Sequence, residues 1–141
     1  MTINEKQQEI IEEFALFDDW MDKYNYLIEL SKDLPEMDPK EKTEANLIDG
    51  CQSKVWLSAK MEDNTLHFSA DSDAVITKGL VALLIGVLSG STPGEIKDTE
   101  LYFIDKIGLK ENLSPTRSNG LLAMINKIKA YAMAYELKQD Q

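Results

Sequence analysis

The sequence predicts an α+β fold in which a small three-stranded antiparallel sheet packs against helices. Near both ends of the chain, apolar residues recur at spacings of three and four, which is typical of amphipathic helices. In the middle they alternate with polar residues, which is typical of strands with one buried face. Helices, then a short sheet, then helices again is an α+β order. A length of 141 residues fits one domain, so residues 1–141 are expected to form a single unit.

Two helices are expected before the sheet. Ile10, Phe14 and Phe17 lie on one face of a helix within residues 1–17. Asp18 can then cap a second helix, because its carboxylate can accept hydrogen bonds from the first turn. Proline residues bound the polar loop Pro35–Glu44 that ends this helix. The apolar stripe of the second helix is Trp20, Tyr24, Leu27 and Leu34.

The alternating segments predict a β-hairpin. Val55–Met61 and Leu66–Ala70 place their apolar residues on one face, and Asp63-Asn64 lies between them as a tight turn. Asn46–Ile48 is expected to supply the third strand. The segment between Ile48 and Val55 would then be a loop between two strands.

Helices return after the hairpin. Asp71 or Ser72 can cap a helix that runs to about Leu88. Thr92–Glu95 has the capping-box pattern, with proline at the first helical position. Ser114-Pro115 begins the last helix in a similar way. The expected core stripe of that helix is Leu121, Ile125, Ile128, Ala132 and Tyr135.

The net charge and hydropathy exclude several kinds of partner. With 25 acidic and 15 basic residues, the net charge of -10 argues against nucleic acid and against anionic membrane surfaces. It suits a protein partner with basic patches, although solubility alone also explains it. The longest uncharged apolar run, Gly79–Leu88, is far shorter than the roughly 20 residues that span a bilayer. Met1–Glu13 is polar and acidic and does not resemble a signal peptide, and one cysteine suits a reducing compartment, so a cytoplasmic location is expected.

Metal ions and resident cofactors are not expected. Structural zinc needs about four Cys or His ligands, and iron–sulfur clusters need several thiolates. The chain has one cysteine and one histidine. A Cys–His hydrolase would need the imidazole of His67 within hydrogen-bond reach of the thiol. The alternation instead places His67 on the polar face of the second hairpin strand.

Cys51 is the main candidate for chemistry. A free cysteine is commonly a small buried hydrophobe, and that interpretation stays open. Against it, Cys51 lies between Gly50, which permits a sharp turn, and the polar pair Gln52-Ser53, not within an apolar stripe. Loops held by a scaffold often carry function. Lys54 would favour the thiolate and Asp49 would oppose it, so the sequence leaves the pKa of the thiol undecided.

Arg117 is the second candidate. It is the only arginine in the chain, and it lies in the first turn of the last helix, where the helix dipole disfavours a cation. Either it is an ordinary surface residue, or its planar and permanently charged side chain is needed for a partner or a sulfur-bearing group.

The segment Gly50–Trp56, with the sequence Gly-Cys-Gln-Ser-Lys-Val-Trp, resembles the active-site signature of the SufE/CsdE family of cysteine-desulfurase sulfur acceptors. In the last helix an arginine occupies the family position of Arg117. The order Ser-Pro-Thr there replaces the family's Thr-Pro-Ser, which keeps a hydroxyl cap and a proline. The resemblance covers roughly residues 10 to 135. Further segments agree in order and spacing: Asp71–Ala74, Lys78–Leu80, Thr92-Pro93 and Leu113–Leu121.

The resemblance implies a fold shared with iron–sulfur scaffold proteins, and it implies a mechanism. A SufS/CsdA-like cysteine desulfurase, which uses pyridoxal phosphate, holds sulfur as a persulfide, and Cys51 would accept the outer sulfur. This chain would stimulate that enzyme and relay sulfur toward a cluster scaffold, as an accessory protein and not as a stand-alone metabolic enzyme. Arg117 would support Cys51. The residues expected to contact the partner are Gly50, Gln52, Ser53 and Asp73.

Other functions remain open at this point. A regulator could dock on a desulfurase without carrying sulfur. A thiol peroxidase or redox sensor would need rapid sulfenic acid formation, and the chain has no second cysteine to resolve it. The protein is expected to be a monomer. Because a persulfide is easily lost to reductants, Cys51 is expected to be sheltered by apolar neighbours at rest and to swing out on docking.

Overall fold

A computed structural model describes residues 1–139, so residues 140–141 of the expected single domain lie outside the described part of the chain. Helices surround one β-hairpin, which confirms the α+β prediction. The strands are β1 (Val55–Glu62) and β2 (Thr65–Ser72). The helices are α1 (Ile3–Ala15), α2 (Trp20–Asp33), α3 (Val75–Leu88), α4 (Pro93–Asp98), α5 (Phe103–Lys106), α6 (Leu109–Asn112) and α7 (Pro115–Gln139).

The hairpin forms as the alternation predicts. The strands pair antiparallel from Val55 opposite Ser72 to the end of the ladder at the turn. Asp63 and Asn64 have φ of 50° and 68°. Two residues of positive φ form the kind of hairpin turn that matches the twist of the strands.

The third strand was predicted wrongly. Of residues 46–48, Leu47 makes a single antiparallel bridge to Trp56, and the Ile48 N–H donates to Val55 O at 2.9 Å. A 3-10 turn occupies Glu44–Asn46 directly before, and Gly50 with a φ of +95° turns the chain soon after. Too little extended backbone is left between them for a strand, so within the described chain the sheet has two strands.

Helix α3 lies at the centre of the molecule, and nine of its residues are buried. It crosses α2 at Gly79, where a Cβ atom would lie 2.3 Å from the carbonyl oxygen of Leu27. The two backbones therefore touch without a side chain between them. The predicted caps Asp71 and Ser72 were wrong, because the N-cap residue is Ala74.

The remaining helix predictions differ in detail. The cap of α2 is Asp19, one residue after the predicted Asp18. The capping box at Thr92 and Glu95 forms as predicted. In α7, the expected stripe is buried at Leu121, Ile128 and Ala132, whereas Ile125 and Tyr135 are only partly buried. Gly120 and Met124 complete the buried face.

Candidate functional site

Cys51 lies on the wall of a cavity of about 240 Å³. Three segments build that wall: the loop that carries Cys51, the N-terminal turn of α3, and the beginning of α7. The Cys51 loop leads directly into β1, so the hairpin holds one end of the loop. The crossing of α2 with α3 at Gly79 holds the N-terminal part of α3. The cavity therefore depends on the packing of the whole fold rather than on one loop.

The Cys51 thiol is half-buried. Its Sγ lies 3.6 Å from the carbonyl oxygen of Gly120 on α7, to which it donates a weak hydrogen bond. Burial raises the pKa of the Cys51 thiol above its ordinary value, because the charged thiolate loses contact with water. The free protein thus holds Cys51 as a neutral thiol that is partly shielded from solvent.

The loop is fixed at both ends by backbone interactions. Gly50 has a φ of +95°, and a Cβ there would lie 3.4 Å from the Cβ of Ala123, so the turn favours glycine. At the other end, a carboxylate oxygen of Asp73 accepts from the Lys54 N–H at 3.0 Å, and the Asp73 N–H donates to Lys54 O at 3.2 Å. The Ser72 hydroxyl also donates to Lys54 O at 2.8 Å. Asp73 therefore positions the loop, besides being exposed to solvent.

Asp71 anchors the surrounding structure through an ion-pair network. Its carboxylate, whose side chain is 16% exposed, pairs with Lys42 and with Lys78. Burial alone would raise the pKa of Asp71, but hydrogen bonds from Lys42, the Ser72 N–H and Lys78 outweigh it and lower the pKa. Asp71 is thus ionised and bound, which explains why it does not cap α3.

Arg117 lines the same cavity as Cys51. The centre of its guanidinium lies 5.7 Å from the ring centroid of Tyr24 on α2, a distance at which a cation–π interaction is favourable. Its backbone N–H donates to the Ser114 hydroxyl at 3.3 Å. The stacking on Tyr24 offsets the cost of a cation at the N-terminus of α7. Gln52 and Ser53 also border the cavity.

Two residues of the site were not foreseen from the sequence. Gly120 is buried against Cys51, and a Cβ there would lie 3.5 Å from Sγ. Thr77, which is 8% exposed, lines the cavity from α3. Both lie inside helices, where the sequence indicates their role only weakly. Gly120 is a glycine within a helix, which costs about 1 kcal/mol relative to alanine. Thr77 is a hydroxyl residue within an apolar helix face.

The structure does not bring His67 to Cys51. The Nε2 atom of His67 lies 2.9 Å from the Thr65 hydroxyl and 3.9 Å from a carboxylate oxygen of Glu62. In the part of the chain that is described, no hydrogen bond joins His67 and Cys51. Residues 1–139 contain no group of three or more His, Cys, Asp or Glu side chains arranged to hold a metal ion. Within the same residues, no helix combines the length and the apolar character needed to cross a membrane.

Most of the chain matches a known protein family. A family model described as "SufE: Fe-S metabolism associated domain" matches residues 8–132. The chain belongs to the SufE family. The resemblance of Gly50–Trp56 to the family signature is thereby confirmed at the level of the family, and with it an association with iron–sulfur metabolism.

Several SufE-like proteins match most of the chain. An uncharacterized SufE-like protein of Rhizobium meliloti is 45% identical over 129 residues, covering 88% of this chain and 92% of that protein. An uncharacterized SufE-like protein of Synechocystis is 38% identical, covering 93% of this chain and 82% of that protein. SufE-like protein 1 of Arabidopsis thaliana, described as chloroplastic/mitochondrial, is 39% identical, covering 96% of this chain and 37% of that protein.

A solved structure supports the fold of this SufE-family chain. The solution structure of a hypothetical protein from Thermus thermophilus superimposes with a TM-score of 0.76 at 22% identity. The match covers 92% of this chain and 94% of the other. At that identity the likeness concerns the fold alone, and it supports the order of helices and hairpin described above.

Proposed function

We propose that this SufE-family protein accepts persulfide sulfur from a cysteine desulfurase on Cys51, stimulates that enzyme, and relays the sulfur toward iron–sulfur cluster assembly. The observation that carries the proposal is the position of Cys51, a lone loop thiol with its Sγ on the wall of a cavity of about 240 Å³. A single thiol is enough to receive one sulfur atom, and the cavity provides space for it.

The transfer needs no oxidant or reductant. The Cys51 thiolate attacks the outer sulfur of the desulfurase persulfide, and a new S–S bond forms at Cys51 Sγ. The S–S bond in the desulfurase breaks, and its cysteine leaves as a thiolate. The proton on the outer sulfur stays with that sulfur, so the product is Cys51–S–SH. Pyridoxal phosphate acts earlier, within the partner, and this chain holds no cofactor in the proposal.

Docking must change the state of Cys51. Burial raises the pKa of the thiol, so the free protein contains very little thiolate at neutral pH. Only the thiolate attacks sulfur efficiently. We therefore infer that the loop moves out on docking and exposes Sγ to the partner's persulfide and to a more polar environment. Gly50, Gln52 and Asp73, which are exposed, and the half-buried Ser53 are the proposed contacts.

We expect Arg117 to support the persulfide-loaded state of Cys51. Its cation borders the cavity of Cys51 and would favour an anion there. The net charge of -10 is expected to guide the protein toward a basic patch on the desulfurase. The proposed protein acts as a monomer in the cytoplasm, where the reducing environment keeps the Cys51 thiol free of disulfides. The partly buried position of Cys51 would shelter the persulfide from reductants there.

The experiment that tests this function compares the wild type with Cys51→Ser in two assays with the desulfurase, pyridoxal phosphate and free cysteine. Intact-mass analysis should show the gain of one or more sulfur atoms on the wild type, mapped to Cys51, and none on the variant. The rate of alanine release should rise with the wild type only. A variant that still stimulates the enzyme fully would instead establish the second candidate, a regulator that binds the desulfurase without carrying sulfur.

A further inference from the structure

Helix α3 begins at the Cys51 cavity, and no side chain caps its N-terminus. Its N-cap residue is Ala74, which offers no side-chain acceptor. Among the described residues, the backbone N–H groups of Val75, Ile76 and Thr77 have no acceptor, and the Lys78 N–H is the first to find one, Ala74 O at 2.8 Å. All four residues from 74 to 77 line the cavity. A helix of 14 residues therefore presents free donors and the positive end of its dipole there.

Neighbouring side chains that could cap this helix are used elsewhere. Asp71 pairs with two lysines, and the Asp73 carboxylate accepts from the Lys54 N–H. The Ser72 hydroxyl donates to Lys54 O and accepts from the Ala74 N–H at 3.2 Å, and within residues 1–139 it binds none of the N–H groups of residues 75–77. Alanine at an N-cap is unfavourable compared with aspartate or serine. The open end of α3 is therefore costly, whereas α1, α2 and α4 each have a side chain that caps the N-terminus.

Thr77 provides an independent indication of a ligand. The residue is 8% exposed, and within residues 1–139 its hydroxyl has no hydrogen-bond partner. Within residues 1–139, every side-chain oxygen or nitrogen atom that is fully hidden from solvent has a hydrogen-bond partner. The Thr77 hydroxyl must therefore keep contact with the open space of the cavity that it lines. An unpartnered hydroxyl on a side chain this buried is free to donate a hydrogen bond to a group that enters the cavity.

The geometry at Cys51 leaves room for one more sulfur atom. Gly120 has no side chain, and even a Cβ there would touch Sγ at 3.5 Å. A second sulfur bonded to Sγ lies about 2.05 Å further out, and its free space is the cavity that residues 74–77 also border. The added atom thus enters a cavity that is lined by the first turn of α3, including Thr77, and by Arg117.

We propose that the N-terminus of α3 and the Thr77 hydroxyl form an anion site that binds the terminal sulfur of the Cys51 persulfide in its ionised form. This inference rests on the proposed function of sulfur transfer. In the ionisation, Cys51–S–SH releases one proton to the solvent and becomes Cys51–S–S⁻, with no transfer of electrons and no change in the bonds between heavy atoms. The N–H groups and the hydroxyl donate to the charged sulfur.

The site distinguishes the loaded protein from the unloaded one. A persulfide is a stronger acid than its parent thiol, so the loaded form is the one that carries a negative charge at neutral pH. The unloaded thiol is neutral, because burial raises its pKa, and it has its own acceptor in Gly120 O. The donors of α3 therefore stabilise the closed loop only after sulfur has arrived, which would protect the cargo until the next protein takes it.

The test loads Cys51 with inorganic polysulfide, a reaction in which the thiolate takes one sulfur atom and a shorter polysulfide or hydrosulfide leaves. Loading is checked by intact mass, and the pKa of the persulfide is then followed by ultraviolet absorption. Thr77→Val should raise that pKa by about one unit, a tenfold loss in ionisation, because a hydrogen bond to a charged group is lost. Thr77→Ser should keep the wild-type value. Thr43→Val is the matched control, since Thr43 is exposed and its side chain makes no capping hydrogen bond.

A second variant separates the anion site from general damage to the fold. Ala74→Asp should raise Tm by capping α3, yet it should raise the persulfide pKa and speed the loss of sulfur to a reductant, because its carboxylate occupies the free N–H groups. If Thr77→Val and Ala74→Asp both load and ionise as the wild type does, the inference is wrong. If polysulfide loads Cys51 but a desulfurase never does, the proposed function fails, while the anion site is still tested by the same measurement.

Discussion

The close crossing of α2 and α3 leads to a quantitative prediction for Gly79→Ala. The added Cβ would lie 2.3 Å from Leu27 O and 2.9 Å from Leu27 C, whereas ordinary contacts begin at 3.4 Å. The two helix backbones would therefore have to separate by about 1 Å, because neither atom belongs to a side chain that can rotate away. Overpacking of this kind costs about 1–3 kcal/mol. The gain of about 1 kcal/mol in helix propensity does not offset a clash with rigid backbone.

The assay is urea unfolding of Gly79→Ala beside Gly86→Ala. Both changes add one methyl group to α3, but an added Cβ at Gly86 meets nothing within 4 Å. We expect Gly86→Ala to gain about 0.5–1 kcal/mol and Gly79→Ala to lose about 1–3 kcal/mol in free energy of unfolding. Gly79→Ala should also alkylate faster at Cys51, since α3 forms a wall of its cavity. Equal stability of the two variants would refute the close crossing.

Three further predictions concern the site and its supports. Alkylation of Cys51 in the free protein should be slower at pH 7 than that of an exposed thiol, with a midpoint above the ordinary pKa of 9.0, and an exposed-thiol rate would contradict the shelter. Gly120→Ala should raise stability by about 0.5–1 kcal/mol in urea but lower the amount of sulfur that Cys51 retains, and unchanged retention would show that the space beside Sγ is not used. Folding lowers the pKa of Asp71 below its ordinary value of 3.8, so the ionised carboxylate stabilises the folded protein fully above that value. This contribution to the free energy of unfolding is lost as the pH falls through the lower pKa of the folded state. Asp71→Asn should therefore be less stable than the wild type at pH 7 and lose less stability on acidification, and parallel pH profiles would contradict this.

The hairpin could be predicted from the sequence because its signal is local. Alternation decides which face is buried, and Asp63-Asn64 supplies a turn that tolerates positive φ. The third strand failed because pairing also depends on the segments around it. Residues 46–48 have a suitable composition, but the 3-10 turn before them and the turn at Gly50 after them leave only one bridge, from Leu47 to Trp56.

The cap of α3 was mispredicted for a physical reason that a linear sequence does not reveal. Asp71 and Ser72 are good caps by residue type. In the fold, Asp71 is held by Lys42 and Lys78, and Ser72 binds Lys54 O. Lys42 and Lys54 lie far from Asp71 and Ser72 along the chain, and Lys78 lies in the second turn of α3. Competition between local capping and tertiary contacts decides whether Asp71 and Ser72 cap α3. The tertiary contacts, and not capping, position the Cys51 loop.

The sequence singled out Cys51 and Arg117, which the structure places on one cavity, but it did not indicate the residues around them. Cys51 and Arg117 stood out because each is the only residue of its type. The stacking of Arg117 on Tyr24, and the contact of Gly120 with Sγ, join helices that are far apart in sequence. Thr77 lies within an apolar helix, where its residue type alone indicates packing, and its unpartnered hydroxyl is visible only once the cavity is known.

The most direct test of sulfur transfer is a single-turnover experiment. A desulfurase is first loaded with persulfide and freed of cysteine, and is then mixed with an equal amount of this protein, and the masses of both proteins are followed in time. We predict that the enzyme loses one sulfur atom as this chain gains one, mapped to Cys51, with the same time course. Loss of sulfur from the enzyme to solution, with this chain unchanged in mass, would contradict sulfur transfer to Cys51.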